Sequence, residues 1–289
     1  MLQHRSPLIR LLPLVLSTDS CHYEFSCIFY NPFVRRTKNS SQYHGDKLKR
    51  VGLARVLSKL GFCSRTQAAE LIGAGRVRLN GAVRRDPETP VHIGKDRIEV
   101  DGTAVRASEK IYLVMNKPRG VVTTSSDEKG RETVYDVLGK QGRWLAPVGR
   151  LDKASEGLLL LTNDSEWAAH VTAPETHLDK TYHVQIGSLV DEALLEKLRA
   201  GVVDDGETLR AKRVNLLRHG DKNSWLQIVL DEGKNRQIRR MLEHFDVEVL
   251  RLIRVAIGPL VLGDLAKGAH RKLTLSEKRE IDEAMGKRK

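Results

Sequence analysis

The stretch Gly149 to Asp164 reads G-R-L-D-K-A-S-E-G-L-L-L-L-T-N-D and sets one carboxylate, Asp152, beside basic side chains immediately before an apolar run. Leu158 to Leu161 is short, continuous and bounded by Gly157 and by Asn163-Asp164, which predicts a strand buried on both faces in preference to a helix, although periodicity alone does not separate the two. Asp152 then lies on the loop that feeds this strand into the core, a place where catalytic side chains commonly sit. Read locally, Asp152 and Ser155 are equally ordinary turn residues.

Around this stretch, further apolar runs at Tyr112 to Met115, Tyr182 to Ile186, Leu226 to Leu230 and Val247 to Ile257 alternate with helical patterns near Val134 to Leu138, Glu166 to Val171 and Asp191 to Leu198. That order predicts an α+β domain built on a mixed or antiparallel sheet. In N-R-Q-I-R-R-M-L-E-H-F, residues 235–245, helical spacing places Ile238, Met241, Leu242 and Phe245 on a core-facing stripe and points Arg236, Arg239 and Arg240 elsewhere.

Upstream lies a smaller and more basic unit. Leu53, Val56, Leu57 and Leu60 recur at helical spacing and Gly61 closes the pattern. A second helix follows, with Ser64 and Gln67 as a capping box, Ala68, Leu71 and Ile72 on its apolar side, and Gly75 as its stop. Val77 to Val83 then alternates about Asn80-Gly81, a strong hairpin signal because both turn residues must tolerate positive φ. Ile98 to Val105 turns likewise at Asp101-Gly102, and Arg106 to Lys110 reads as a linker. Between Gly52 and Gly81, Arg55, Lys59, Arg65, Arg76 and Arg78 stand against Glu70 alone, a balance that suits contacts to phosphates as well as a solvated helix face.

The 289 residues are enough for about two domains with a sizeable core. Lys plus Arg outnumber Asp plus Glu by 49 to 37, giving a formal charge of +12, which favours a polyanionic partner. The longest apolar run near the start is Leu11 to Leu16, far below the ~20 residues needed to span a bilayer, so no membrane association is expected. Cys21, Cys27 and Cys63 form no C-x-x-C pair and are odd in number, which argues against a disulfide framework and a zinc site and favours a reducing, cytoplasmic compartment. Residues 1–49 carry Arg5, Arg10, Arg35, Arg36 and Lys38 against Asp19 and Glu24 before Asp46. This is the composition of a transit peptide, which would make the compartment organellar, or of translated upstream sequence; either is expected to be poorly ordered. No Met lies between Met1 and Met115, so an internal start would need a non-AUG codon.

G-R-L-D-K-A-S-E-G-L closely resembles the catalytic motif of the RsuA and RluB type of pseudouridine synthases, with Asp152 at the position of the catalytic aspartate. M-N-K-P-R-G at Met115 to Gly120 resembles the family's opening strand and turn, and E-G-K-N-R-Q-I-R-R-M-L from Glu232 to Leu242 its basic helix. L-x-K-x-G-x-C-S-R-x-x-A, Leu57 to Ala68, resembles an S4 RNA-binding domain. The resemblance spans Val51 to about Glu277 and implies an S4 domain at 50–106, of two helices plus hairpins, then a catalytic domain at 110–286 with a long bent sheet and a central cleft. It implies Asp152, Tyr182 and Arg239 as catalytic residues, with Arg239 paired to the aspartate and Tyr182 stacking on the target base. Lys117, Lys180, Arg150 and Arg236 are the implied substrate contacts, Arg150 placed to fill the space a flipped base leaves or to hold the backbone. Arg55, Arg65, Arg76 and Arg78 are the implied S4 contacts.

The implied reaction breaks the bond between N1 and C1′, turns the uracil and rejoins it through C5, an isomerisation that requires neither a redox cofactor nor a metal. No Gly-rich phosphate loop or H-E-x-x-H helix is present, so no nucleotide cofactor is expected. His170, His177 and His183 lack metal-ligand spacing and read as surface or hydrogen-bonding residues. Glu156 with Asp152 could suggest a glycosidase carboxylate pair, a reading that leaves the other motifs without a role. The expected partner is ribosomal RNA, free or within a pre-ribosomal particle, and a monomer is the simplest assembly. H-L-D-K-T-Y at 177–182 and G-A-H-R-K-L-T at 268–274 resemble the RluB side of the family. A non-catalytic S4-bearing ribosome-assembly factor and a synthase for transfer RNA are the alternatives. The presence of Asp152, Arg239 and Tyr182 together favours an enzyme.

Overall fold

The structure, a computed structural model, describes residues 50–124, 127–139 and 141–286, so the expectations for residues 1–49, Cys21 and Cys27 included, lie outside the described residues. The N-terminal module contains β1 (Val51–Gly52), α1 (Leu53–Lys59), α2 (Arg65–Gly73), β2 (Val77–Leu79), β3 (Ala82–Arg84), β4 (Pro90–Val91), β5 (Ile98–Val100) and β6 (Thr103–Ala104). Strands β3, β2, β5 and β6 form a four-stranded sheet in that order, and β1 pairs with β4. Both hairpins turn where the sequence placed them: Asn80 and Gly81 have φ of 53° and 83°, Asp101 and Gly102 of 49° and 76°. Each pair has positive φ at both central positions, the geometry that matches the twist of the flanking strands. Leu53, Val56, Leu57, Ala68, Ile72, Val77, Leu79, Ile98 and Val100 are buried together as the core of this module.

Helix α2 opens with the expected capping box. Ser64 Oγ accepts the Gln67 amide at 3.1 Å, and Gln67 Oε1 accepts the Ser64 amide at 3.1 Å. Replacing Ser64 with Ala is expected to cost about 1 kcal/mol. Amide hydrogen exchange should then accelerate roughly fivefold along α2 and remain unchanged in the sheet of the larger domain; unchanged exchange in α2 would show that the cap contributes nothing.

The linker has no regular structure and is tied at both ends. The Ser108 amide donates to the Leu60 carbonyl at 2.9 Å. Buried Asn163 accepts the Ile111 amide and donates to the Glu109 carbonyl, both at 2.8 Å. Lys59 and Glu166 close an ion pair of 2.6 Å, so the first helix of the module rests against the larger domain.

The larger domain follows as β7 (Tyr112–Lys117), α3 (Val134–Leu138), β8 (Ala146–Val148), β9 (Glu156–Thr162), α4 (Ser165–Thr172), β10 (Lys180–Ile186), α5 (Glu192–Ala200), β11 (Val202–Asp204), β12 (Glu207–Leu209), β13 (Arg213–His219), β14 (Ser224–Leu230), α6 (Gln237–Glu243), β15 (Val249–Ile257), β16 (Leu260–Val261), β17 (His270–Lys272) and α7 (Leu275–Gly286). Its main sheet runs β13-β14-β10-β15-β9-β7-β17, with β16 added to β15 and β8 to β9. Strands β9 and β15 are parallel and their other neighbours antiparallel, so the sheet is mixed. Every residue of β9 is buried, as the uninterrupted Leu158 to Leu161 run predicts for a strand covered on both faces.

At the β9 to β15 junction Gly157 has φ of 105°, and a Cβ there would lie 2.3 Å from the Arg254 carbonyl oxygen. Only glycine permits this approach, which joins the two halves of the sheet beside the Asp152 loop. One half packs α5 and α6 over β10, β13 and β14 through Leu195, Leu198, Ile238, Met241 and Leu242. In the other half Leu113, Met115, Leu159 and Leu161 pack with Val134 and Leu138 of α3 on one face. Val114, Leu158 and Leu160 pack with Trp167 and Ile281 of α7 on the opposite face. No helix among the described residues is long and apolar enough to cross a membrane.

Candidate functional site

Asp152 sits on a loop whose main chain is held at every residue. The Leu151 carbonyl accepts Thr123 Oγ1 at 2.8 Å, the Asp152 carbonyl accepts Lys117 Nζ at 3.2 Å, and the Lys153 carbonyl accepts the Gly120 amide at 2.8 Å. The Ala154 carbonyl accepts Arg239 Nη2 at 3.1 Å and the Ser155 carbonyl accepts Lys117 Nζ at 2.9 Å. Five successive carbonyls are thus fixed from β7, the turn after it and α6. The Asp152 carboxylate itself is half-buried and forms no hydrogen bond or ion pair among the described residues, so its oxygens stay available.

The loop borders a cleft of about 610 Å³ between the two halves of the sheet. Arg150, Asp152 and Ser155 line it on one side, Lys180, Tyr182 and Arg254 come from the adjacent strands β10 and β15, and Lys234, Asn235 and Arg236 precede α6. Tyr182 is half-buried and packs against the cores on both sides of the cleft. Burial pushes the Lys180 ammonium below its ordinary pKa, and Arg254 adds to the shift. Glu156, four residues after Asp152, is not free to act as a paired carboxylate. It is buried and bonded by Arg251 and, at 2.8 Å, by Lys267, and these cations hold it below its ordinary pKa although burial opposes them.

Two expectations change, those for Lys117 and Arg239. Lys117 does not reach the cleft: its side chain is 0% exposed and its ammonium donates to the carbonyls of Pro118, Asp152 and Ser155, so it supports the loop from beneath. Burial lowers its pKa from 10.5 to about 8, with Asp152 and Glu156 opposing and Arg254 reinforcing the shift. Arg239 makes no ion pair with Asp152; it reaches the Ala154 carbonyl two residues on, and its buried Nε has no hydrogen-bond partner. Burial, Arg236 and Arg119 depress the Arg239 pKa while the Asp152 charge acts against them. Arg240, directed away from the core stripe, bonds Asp204 and Glu207 of the β11–β12 hairpin. Arg236 stands outside the helix, at its N-cap with φ of 47°, and is exposed at the cleft.

The residue most hidden from sequence reading is Arg254. In the sequence it is one more basic residue of a strand, whereas in the fold it faces the cleft beside Tyr182, its strand partner. The alternation L-R-L-I-R-V-A was its only signal.

In the N-terminal module Arg55 and Arg65 are exposed and unpaired among the described residues. Arg76 is bidentate to Asp101, at 2.9 and 2.5 Å, so its charge is locally compensated, and Arg78 donates to the Gly81 carbonyl at 3.3 Å. His170 and His177 are at the surface and His183 is half-buried. Among the described residues no group of three or more His, Cys, Asp or Glu side chains is arranged to hold a metal ion.

Comparison with known proteins adds three findings. The family model described as RNA pseudouridylate synthase matches residues 111–244, and that of the S4 domain matches 51–98. Over 231 residues the chain is 38% identical to the ribosomal large subunit pseudouridine synthase B of Bacillus subtilis, covering 79% of this chain and 94% of that protein. It is 35% identical over 237 residues to an uncharacterized RNA pseudouridine synthase of Aquifex aeolicus, covering 82% and 95%. A crystal structure of a pseudouridylate synthase superposes with a TM-score of 0.57 at 29% identity, covering 80% of this chain and 99% of that one.

Proposed function

Because the chain belongs to the RNA pseudouridylate synthase family and carries an S4 domain, we propose that it isomerises a uridine of large-subunit ribosomal RNA, with Asp152 as the reacting carboxylate. The observation that carries the ribosomal assignment is the 38% identity to the Bacillus subtilis large-subunit enzyme over 94% of that protein's length. A ribosomal substrate puts the enzyme in the cytoplasm or in an organelle that holds its own ribosomes.

In this reading the uridine leaves its stack, at a cost of a few kcal/mol, and enters the cleft. Tyr182 stacks on the base, Arg150 and Arg236 meet the surrounding backbone, and Lys180 contacts the bound uridine. Asp152 approaches the sugar or the ring as nucleophile or base, and its unengaged oxygens need no bond broken first. Arg239 and Lys117 keep the loop in place through its carbonyls and supply positive potential behind the carboxylate.

The test is pseudouridine mapping by carbodiimide labelling and primer extension on large-subunit, small-subunit and transfer RNA incubated with the purified protein. A single new stop in the large-subunit RNA is expected. A mark confined to transfer RNA would overturn the ribosomal assignment, and RNA binding with no mark anywhere would favour a non-catalytic assembly factor.

Arg55 and Arg65 are exposed and unpaired among the described residues, and we assign them to phosphate contacts. Reversing both, Arg55→Glu with Arg65→Glu, is expected to weaken RNA binding and flatten the plot of log Kobs against log salt by about 1.5, as two lost contacts require. An unchanged slope would place the RNA on another surface.

A further inference from the structure

Among the described residues Arg254 is a buried charge that the fold leaves without an ion pair. It is 6% exposed and lines the cleft. Its Nε donates to the Leu158 carbonyl at 2.7 Å, while Nη2 is buried without any partner. Lys180, also on the cleft, lies close enough for the Arg254 charge to act on it. Among the described residues neither cation forms an ion pair. Asp179 is taken by Lys212 at 2.6 Å, Asp231 faces His177 at 3.8 Å, and Glu232 of the cleft is held by Lys234 at 3.2 Å. A desolvated guanidinium with spare donors is costly unless something negative arrives to meet it.

Two anionic groups of a flipped uridine could do so, its phosphates and its ring. A phosphodiester continues into chain on both sides and therefore stays near the cleft mouth, whereas Arg254 is almost fully covered and stands beside Tyr182 in the pocket wall. Only the base can enter that far. When the bond between C1′ and N1 breaks, its electron pair remains on the ring, and the negative charge spreads from N1 to the carbonyl oxygens. Later the C1′ to C5 bond forms, C5 gives up its proton and N1 gains one, so the isomerisation balances with no co-reactant.

We infer that Arg254, assisted by Lys180, stabilises the negative charge on the detached uracil ring. The inference rests on the pseudouridine reading of this cleft and adds a named electrostatic contributor to it. Donors aimed at charge that develops only during reaction accelerate the chemical step and leave ground-state binding nearly untouched.

The test compares single-turnover rates, with enzyme in excess, on a large-subunit ribosomal RNA transcript made with uridine and on the same transcript made with 5-fluorouridine. Fluorine at C5 withdraws electrons and stabilises the ring anion by itself. Arg254→Gln is expected to slow pseudouridine formation about 10²-fold while transcript affinity stays within about threefold, and to slow rearrangement of the fluorinated base by only about tenfold. Arg254→Lys should recover part of the loss. Because Arg254 also supports the Leu158 carbonyl, Lys180→Gln is measured in parallel; it should lose about fivefold on uridine and less on 5-fluorouridine. Weakened binding with an unchanged saturating rate would make the pair a phosphate site, and an equal loss on both transcripts would make Arg254 a structural support; either overturns the inference. Asp152→Ala separates the two levels: a fully active Asp152→Ala removes the underlying reading, whereas an inert Asp152→Ala beside an unimpaired Arg254→Gln removes this inference alone.

Discussion

Replacing Asp152 by alanine is expected to slow pseudouridine formation by about 10⁴-fold or more, the scale of losing a nucleophile or an essential base. The enzyme should still fold and bind RNA. The carboxylate makes no hydrogen bond or ion pair among the described residues, and the loop is held through its main chain by Thr123, Gly120, Lys117 and Arg239. Deleting it therefore breaks no bond in the loop. One opposing contribution remains: the Asp152 charge favours the protonated forms of buried Lys117 and half-buried Arg239, and its removal leaves them less compensated. Since neither is in contact with the carboxylate, that loss should stay near 1 kcal/mol, too little to unfold the domain. Single-turnover assays by nucleoside mass spectrometry, with thermal melting as control, separate these quantities. A variant that melts normally and keeps more than about a tenth of the wild-type rate, against the expected loss, would move the chemistry to another group.

How far the sequence reveals this site depends on how local each feature is. The Asn80-Gly81 and Asp101-Gly102 turns were legible because positive φ is decided by two adjacent residues. Strand β9 was legible because four successive leucines can be buried only on two covered faces. Asp152 was singled out through the surrounding motif, since nothing in the physics of one loop aspartate distinguishes it. What escaped is set by distant segments. The partners of Arg240 were hidden because Asp204 and Glu207 come from a hairpin some 35 residues upstream. Arg239 looked like a side-chain partner for Asp152 because spacing cannot reveal that its guanidinium meets the Ala154 carbonyl. Arg254 was one arginine among many until the pairing of β10 with β15 set it beside Tyr182.

Lys117 shows the same limit and leads to a prediction with two separable parts. Its ammonium spends all three donors on carbonyls, two of them in the Asp152 loop. In Lys117→Met the Pro118 and Ser155 carbonyls lose this donor, whereas the Asp152 carbonyl keeps the Ser155 amide at 3.0 Å. Each orphaned carbonyl costs about 1 to 3 kcal/mol, but the wild type already bears the cost of a buried ammonium. A pKa lowered from 10.5 to about 8 corresponds to about 3 kcal/mol against the charged form. The two effects nearly cancel, so at neutral pH the variant should lie within about 2 kcal/mol of the wild type. Activity should not be spared: a loop free to shift the carboxylate by about 1 Å loses roughly 10²-fold in rate. Raising the pH then isolates the lysine. Between about pH 8 and 10.5 the unfolded chain holds a proton on Lys117 that the native chain has released, so the stability of the wild type rises with pH relative to the variant. Urea unfolding at about pH 7.5 and 9.5 should show the difference moving toward the wild type by about 2 kcal/mol. Tryptophan fluorescence reports this transition, because Trp144, Trp167 and Trp225 all lie in the catalytic domain. If the two proteins changed stability in parallel, the buried ammonium would not be the titrating group; if Lys117→Met kept the wild-type rate, the three carbonyl bonds would not be what aims Asp152.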